Sequence, residues 1–152
     1  MSTDKLSTQN SDNEKNAEEV KRVILRVYEA FQELDAEKSD ANFSHSPDLL
    51  AFGTEWDEKF VGWNAYKNVH PNQFDALKWF RCTTRELSAH VHDGVAWVSD
   101  RPRWEMETKD GERISNDLRI TAVLRKEGDN ENSWHIVQWH VSVGLWEPLH
   151  DY

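Results

Sequence analysis

The stretch from Ser133 to Trp146 constrains the fold more than any other, because it predicts a long strand with two unusual faces. At a period of two, one face mixes apolar and polar residues: Trp134, Ile136, Gln138, His140 and Ser142. The other face is mostly apolar: His135, Val137, Trp139, Val141 and Val143. The apolar face therefore needs a cover of helices or of a second subunit. Because buried polar groups need hydrogen-bond partners, the mixed face is typical of the wall of a polar-lined pocket.

Length and charge exclude several classes of function. A chain of 152 residues predicts one domain with a sizeable core. The net charge of −10 argues against binding to nucleic acid or to an anionic membrane surface, and no apolar run is long enough to span a bilayer. A single cysteine, Cys82, excludes an intrachain disulfide, and without a signal-peptide pattern the predicted location is cytoplasmic. Eight tryptophans favour interfaces and ligand pockets as well as a core.

The order of elements predicts an α+β fold. Residues 1–15 are polar and predict a disordered tail, followed by a single domain over residues 16–152. A capping pair at Asn16 and Glu19 predicts the start of an amphipathic helix of about five turns, with short helices expected near residues 41–43 and over residues 63–74. Four strand-like segments follow, over residues 77–91, 95–109, 114–126 and 133–146, and turn signals separate them. We therefore expect a curled antiparallel sheet with the first helix packed into its concave side.

Arginines, aromatic residues and the polar face of the last strand are the candidates for ligand binding. Arg119 on the third of these strands could clamp a carboxylate through two parallel hydrogen bonds, or it could pair with an internal acid such as Asp117 or Glu105. Arg101 raises the same two alternatives and shares a strand with Trp97. His140 and Ser142 point the same way without a nucleophile elbow, so a satisfied histidine lining a core or pocket is favoured over nucleophilic catalysis.

An acidic loop offers a possible general base. Glu55 and Glu58 flank Trp56 between a predicted strand and helix, and either carboxylate could act as a base if it were desolvated. A solvated loop is the simpler interpretation. His90 and His92 have the spacing of metal ligands, but no further ligand pattern completes a site, so neither a metal nor another cofactor is predicted.

The order of elements, the Gly-Thr-acidic loop ending at Gly62 and the closing Trp-x-Ile-Val-x-x-His-x-Ser together resemble the SnoaL-like branch of the nuclear transport factor 2-like superfamily. The resemblance covers about residues 17–146. Segments 92–97, 115–119 and 140–142 are similar to the association domain of calcium/calmodulin-dependent protein kinase, which implies that Arg119 and Arg101 are pocket arginines. The family implies a cystatin-like, cone-like curled sheet wrapped around the N-terminal helices. It also implies a cavity between sheet and helices, and a homodimer through the open sheet face.

Ketosteroid isomerases are more distant members of this superfamily. Tyr28 falls near their oxyanion-holding tyrosine, but their catalytic aspartates are replaced in the region of residues 52–54 and near Ala122. The resemblance therefore predicts a protein that binds a small anionic or carbonyl-bearing molecule, through Tyr28, Trp56, Trp97, Arg101, Arg119, His140 and Ser142. One alternative is an isomerase or dehydratase with Tyr28, Glu55, Glu58 or His140 as catalytic candidates. Another is a purely structural association module.

Overall fold

The computed structural model describes residues 2–128 and 133–151 and begins with helices. The four helices are α1 (Ser2–Glu33), α2 (Ala36–Asp40), α3 (Trp63–Tyr66) and α4 (Val69–Asp75). The predicted helix over residues 63–74 is thus two short helices, with the break before Val69. Pro71 lies in the first turn of α4, where its missing N–H leaves no intrahelical bond unmade.

In the part of the chain that the structure describes, eight strands form one curled, unclosed sheet. They are β1 (Leu50–Phe52), β2 (Lys59–Val61), β3 (Leu77–Thr83), β4 (Ser88–His92), β5 (Val95–Asp100), β6 (Arg103–Thr108), β7 (Arg113–Lys126) and β8 (Trp134–Val143). The order is β2-β1-β8-β7-β5-β4, and β6 pairs with β7 and with β3. The first part of β7 pairs with β6 and the second part with β5 and β8, so β7 links the two halves of the curl. This confirms the predicted α+β fold with a curled sheet around the first helix.

The first helix follows the predicted apolar stripe. Val20, Ile24, Val27 and Phe31 are spaced three or four residues apart, and each is at most 1% exposed. Burying each of these side chains contributes on the order of 1.5–3 kcal/mol. The helix ends where Leu34 adopts a φ of 53°, and the Leu34 and Asp35 amides donate to carbonyls of the last turn.

The start of α1 differs from the prediction. The helix was expected to begin near Asn16 after a disordered tail, but it extends back to Ser2. The side chains from Asp4 to Ser11 are exposed, so this segment makes almost no core contacts. It continues the helical hydrogen bonding begun by the buried stripe, and the Ser7 and Thr8 hydroxyls bond back to the Asp4 carbonyl.

Two predicted long strands are each divided in two. The predicted segment 77–91 forms β3 and β4, and 95–109 forms β5 and β6, with the second break at residues 101–102. Pro102 has no amide hydrogen to donate, although its carbonyl accepts from the Leu118 amide at 3.0 Å. The Asp93-Gly94 hairpin is formed as expected, with Asp93 at a φ of 53°.

A polar contact ties the end of β7 to the segment after α2. The Glu127 carboxylate accepts hydrogen bonds from the Ser44 hydroxyl at 2.6 Å and from Arg125 at 2.9 Å. Burial raises the pKa of Glu127, but these two hydrogen bonds together with the nearby charges of His135 and Arg125 hold the pKa below its usual range. The contact therefore favours the ionised form of Glu127 in the folded protein.

Candidate functional site

A bulge in β8 reverses which side chains face the core. Leu124 pairs with Ile136, but Val123 pairs with Gln138, so Val137 is an extra residue in the ladder. After the bulge the side chains change faces: Trp139 and Val141 are 3% and 4% exposed. His140 and Ser142, predicted to line the pocket, lie on the outer face of the sheet. The predicted pocket wall is therefore wrong beyond residue 137. A strict alternation of faces assumes that no residue is inserted in the strand, and the extra residue shifts every later side chain to the opposite face.

The cavity between the helices and the sheet, here called the inner cavity, is small. Its volume is about 70 Å³, which is roughly two to three times the liquid volume of a water molecule. Large aromatic side chains occupy most of the space: Phe31, Phe52, Phe60, Tyr66, Trp104 and Trp139. Sites for larger organic ligands typically measure about 300–1,000 Å³. The inner cavity therefore has room for only a few heavy atoms.

A buried histidine forms a polar wall of the inner cavity. His70 is 2% exposed; its Nδ1 lies 2.8 Å from Asp40 and its Nε2 lies 2.9 Å from the Tyr66 hydroxyl. The Ser39 hydroxyl lies 3.1 Å from the same Nδ1. Burial raises the pKa of Tyr66, and the nearby charges of Asp40 and Glu58 raise it further, so Tyr66 stays a neutral phenol. The sequence analysis did not identify this group; the four-residue spacing of Tyr66 and His70 was its only local signal.

Tyr28 is not free to polarise a ligand carbonyl. Its hydroxyl donates to the buried Asp100 carboxylate at 2.9 Å, and burial is the main cause of its raised pKa. Asp100 also accepts a hydrogen bond from the Thr84 hydroxyl at 2.8 Å. The backbone N–H groups of Arg85, Glu86 and Arg101 complete the set of donors. The contact between Tyr28 and Asp100 thus connects α1 to the two chain bends, residues 84–87 and 101–102, that separate β3 from β4 and β5 from β6.

The acidic loop between β1 and β2 places only one of the candidate carboxylates at the inner cavity. Glu58 lines the cavity and accepts a hydrogen bond from the Glu55 backbone N–H at 2.9 Å. The Glu55 side chain is exposed, and Trp56 at the loop tip is 100% exposed. Of these three predicted site residues, only Glu58 reaches the inner cavity.

The predicted arginines meet elsewhere, in a cleft of about 450 Å³ on the outer side of the sheet. We call it the Arg119 cleft; its lining comprises Arg85, Glu86, Arg101, Asp117, Leu118, Arg119, Gly144, Leu145 and Trp146. Arg119 is exposed, and its side chain passes over Gly144, where an added Cβ would lie 3.7 Å from it. Ser142 is the cross-strand neighbour of Arg119 in the sheet. The expectation that Arg119 faces the inner cavity is therefore wrong, since odd-numbered residues of β7 point outward at this position.

Charge pairing leaves one guanidinium of the cleft available. Arg101 pairs with both carboxylate oxygens of Glu86, and this hydrogen bonding lowers the pKa of Glu86. Asp117 pairs with Arg85 and with Arg103, and its pKa is lowered chiefly by the hydrogen bond from Arg103. Within residues 2–128 and 133–151, Arg119 has no ion pair or hydrogen-bonded side chain. Three arginines against two acids leave the cleft with one excess positive charge.

Trp97 and His140 lie on the outer sheet face and are not among the residues that line either site. Trp97 is 49% exposed and stacks on His90 with ring centroids 5.8 Å apart. His140 is exposed and contacts the Phe52 ring, with ring centroids 5.1 Å apart.

Across residues 2–128 and 133–151, no three metal-ligating side chains are grouped together. Over the same residues, no helix is both long and apolar enough to cross a membrane.

Solved structures with the same architecture support the fold assignment. A nuclear transport factor 2-like superfamily protein from Salmonella enterica superposes with a TM-score of 0.76 at 16% identity, covering 89% of this chain and 95% of that one. A candidate dehydratase of the same family from Streptomyces avermitilis gives 0.73 at 15% identity, with 84% and 95% covered. A candidate calcium/calmodulin-dependent protein kinase II association domain from Xanthomonas campestris gives 0.69 at 16% identity, with 85% and 88% covered. These similarities define a nuclear transport factor 2-like fold.

The family assignment is more specific than the fold. Residues 20–145 match the SnoaL-like domain, which is most of the chain, so this protein belongs to the SnoaL-like domain family. Curated protein sequences gave no significant match.

Proposed function

We propose that this SnoaL-like protein binds a small organic monoanion in the Arg119 cleft. The observation that carries the proposal is the Arg119 guanidinium, which has no ion pair among the described residues, in a cleft whose other two arginines are neutralised by Glu86 and Asp117. A guanidinium can hold a carboxylate through two parallel hydrogen bonds. Leu145 and Trp146 supply an apolar surface beside it and are 67% and 88% exposed. The ligand class supported is therefore a monocarboxylate with an apolar or aromatic body.

The inner cavity is a poor site for the same ligand. Its volume of about 70 Å³ is too small for an aromatic carboxylate, and Glu58 places a negative charge at its wall. The described residues that line it include no lysine or arginine. Size and charge therefore both favour the Arg119 cleft for an anion.

A binding titration with benzoate tests the proposal, with benzamide as the neutral analogue of similar shape. Arg119→Gln should weaken benzoate binding about tenfold or more, because a charge-assisted hydrogen bond is lost. Arg119→Lys should not restore it, since an ammonium lacks the planar pair of donors. Arg113→Gln is the matched control: it removes the same charge from the same strand, outside the cleft. Equal affinity for benzamide, or equal losses in the Arg113 and Arg119 variants, would refute the proposal.

The proposal includes the predicted cytoplasmic homodimer, formed through the outer sheet face. Val61, Val95 and Trp97 on that face are 63%, 44% and 49% exposed. Covering apolar side chains of this size contributes on the order of 25 cal/mol per Å². Sedimentation velocity at micromolar concentration tests the dimer, and a monomer would contradict it.

A structural association module is the second candidate, favoured by the nearly filled inner cavity. It predicts that the dimer forms while benzoate does not bind at the Arg119 cleft. The enzyme alternative has less support, since Tyr28 is bonded to Asp100 and His140 lies on the outer face. Of the four candidate catalytic residues, only Glu58 lines the inner cavity.

A further inference from the structure

The inner cavity has a chemistry opposite to that of the Arg119 cleft, and we infer that it binds a small organic ammonium ion. Its walls combine aromatic side chains, a carboxylate and a phenol oxygen. This site is independent of the anion site proposed above, because the two share no lining residue. Each of the three features contributes separately.

The aromatic walls favour a cation over a neutral apolar molecule. Phe31 lies edge-on to Trp104, with ring centroids 5.6 Å apart, and Phe60 lies against Tyr66 at 5.5 Å. Trp139 closes the sheet side of the cavity. The negative faces of such rings attract ammonium groups, most strongly where water is excluded.

The His70 network makes Tyr66 a hydrogen-bond acceptor toward a ligand. A carboxylate oxygen 2.8 Å from Nδ1 requires a proton between the two atoms, so His70 donates to Asp40 through Nδ1. In the neutral imidazole Nε2 then has a lone pair, and the Tyr66 hydroxyl 2.9 Å away donates to it. In this neutral tautomer the Tyr66 proton is committed to His70, and the phenol oxygen presents only lone pairs to a ligand. A ligand that donates hydrogen bonds is favoured over a carbonyl.

Glu58 supplies the negative charge. One of its oxygens accepts from the Glu55 backbone N–H, and its carboxylate folds over Gly53. A Cβ added at Gly53 would lie 2.7 Å from the carboxylate, so the close approach depends on the glycine. Lys59, the nearest basic neighbour in sequence, places its ammonium 5.9 Å from the Phe52 ring. The Glu58 carboxylate therefore lies at the inner cavity, whereas Lys59 is exposed and is not among the residues that line it.

The volume of about 70 Å³ is far below that of sites for larger organic molecules, about 300–1,000 Å³, so the inner cavity suits a ligand of few heavy atoms. Isopropylammonium is a suitable probe, with 2-propanol as its neutral isostere and acetate as an anion of equal heavy-atom count. A ligand this small is expected to bind no tighter than about the micromolar to millimolar range. A chemical-shift titration by NMR at constant ionic strength measures such affinities.

Two variants perturb the carboxylate in different ways. Glu58→Gln removes the charge, whereas Gly53→Ala keeps the charge and displaces the carboxylate. Both should weaken isopropylammonium binding about tenfold or more. Glu55→Gln is the matched control, because it removes an exposed charge from the same loop and leaves its backbone N–H in place. Arg119→Gln should leave the affinity for the cation unchanged, which separates this test from that of the proposed function.

The inference is supported if the ammonium binds at least about tenfold tighter than 2-propanol and acetate, with losses confined to the Glu58 and Gly53 variants. Equal affinities for ammonium and alcohol would overturn it. So would an equal loss in Glu55→Gln, since that would indicate a general attraction to an acidic protein. If circular dichroism shows that Glu58→Gln is unfolded, the Gly53→Ala variant decides the test. An unchanged affinity for isopropylammonium in that variant would then overturn the inference.

Discussion

Replacing Asp100 with asparagine is expected to destabilise the protein by about 2–4 kcal/mol. The carboxylate is 3% exposed and accepts five hydrogen bonds, three from backbone N–H groups and two from the Tyr28 and Thr84 hydroxyls. An asparagine oxygen can keep the backbone bonds, and the hydroxyls can turn to accept from its amide. All five bonds lose their charge assistance, worth roughly 1 kcal/mol each, while the cost of burying a charge is relieved. The estimate is the balance of these two effects.

Urea unfolding followed by circular dichroism measures this difference, with Tyr28→Phe as the comparison. Tyr28→Phe removes one donor and leaves four, so its expected cost is about 1–2 kcal/mol. A difference below about 0.5 kcal/mol for Asp100→Asn would refute the view that this carboxylate holds the two bends together. A larger cost for Tyr28→Phe than for Asp100→Asn would point instead to aromatic packing of Tyr28.

Three further results are expected. Trp97→Glu should give a folded monomer in sedimentation, whereas Trp139→Glu should lower the unfolding midpoint sharply, because Trp139 is core and only 3% exposed. Burial raises the pKa of the Cys82 thiol to about 12, so iodoacetamide should modify it in urea but not in the native protein at neutral pH. Glu127 has a lower pKa folded than unfolded, so it stabilises the fold above about pH 4 and loses this effect as pH falls through the folded pKa. Glu127→Gln should therefore be less stable than wild type at pH 7, and urea titrations should show the gap closing below about pH 4.

Local patterns predicted much of the fold. The stripe from Val20 to Phe31 is periodic and fully buried, so it identified the first helix and its core face. The Asp93-Gly94 pair predicted its hairpin, because an aspartate tolerates a positive φ and a glycine favours one. These features depend on residues close together in sequence, and sequence patterns report them directly.

The site was less predictable because it depends on distant residues. His70 gains its partner from Asp40, 30 residues earlier, and nothing near either residue signals the contact. Arg119 was correctly singled out as a charged residue in a strand. Its environment, however, depends on which acidic side chains pair with the other arginines of the cleft. Tyr28 was placed on the correct helix and was predicted to contact a bound ligand. In the structure its hydroxyl instead donates to the Asp100 carboxylate, 72 residues away.

The extra residue at Val137 also affects how relatives should be compared. A relative without the insertion would carry, at the positions aligned with His140 and Ser142, side chains that point into the interior. An alignment drawn without a gap there would equate an interior residue of one protein with a surface residue of the other. Deleting Val137 from this chain should remove the bulge and leave Trp139 and Val141 in the core, because Ile136 and Gln138 would then be consecutive partners of Leu124 and Val123. Roles transferred by aligned position across this strand therefore hold only between proteins that share the insertion.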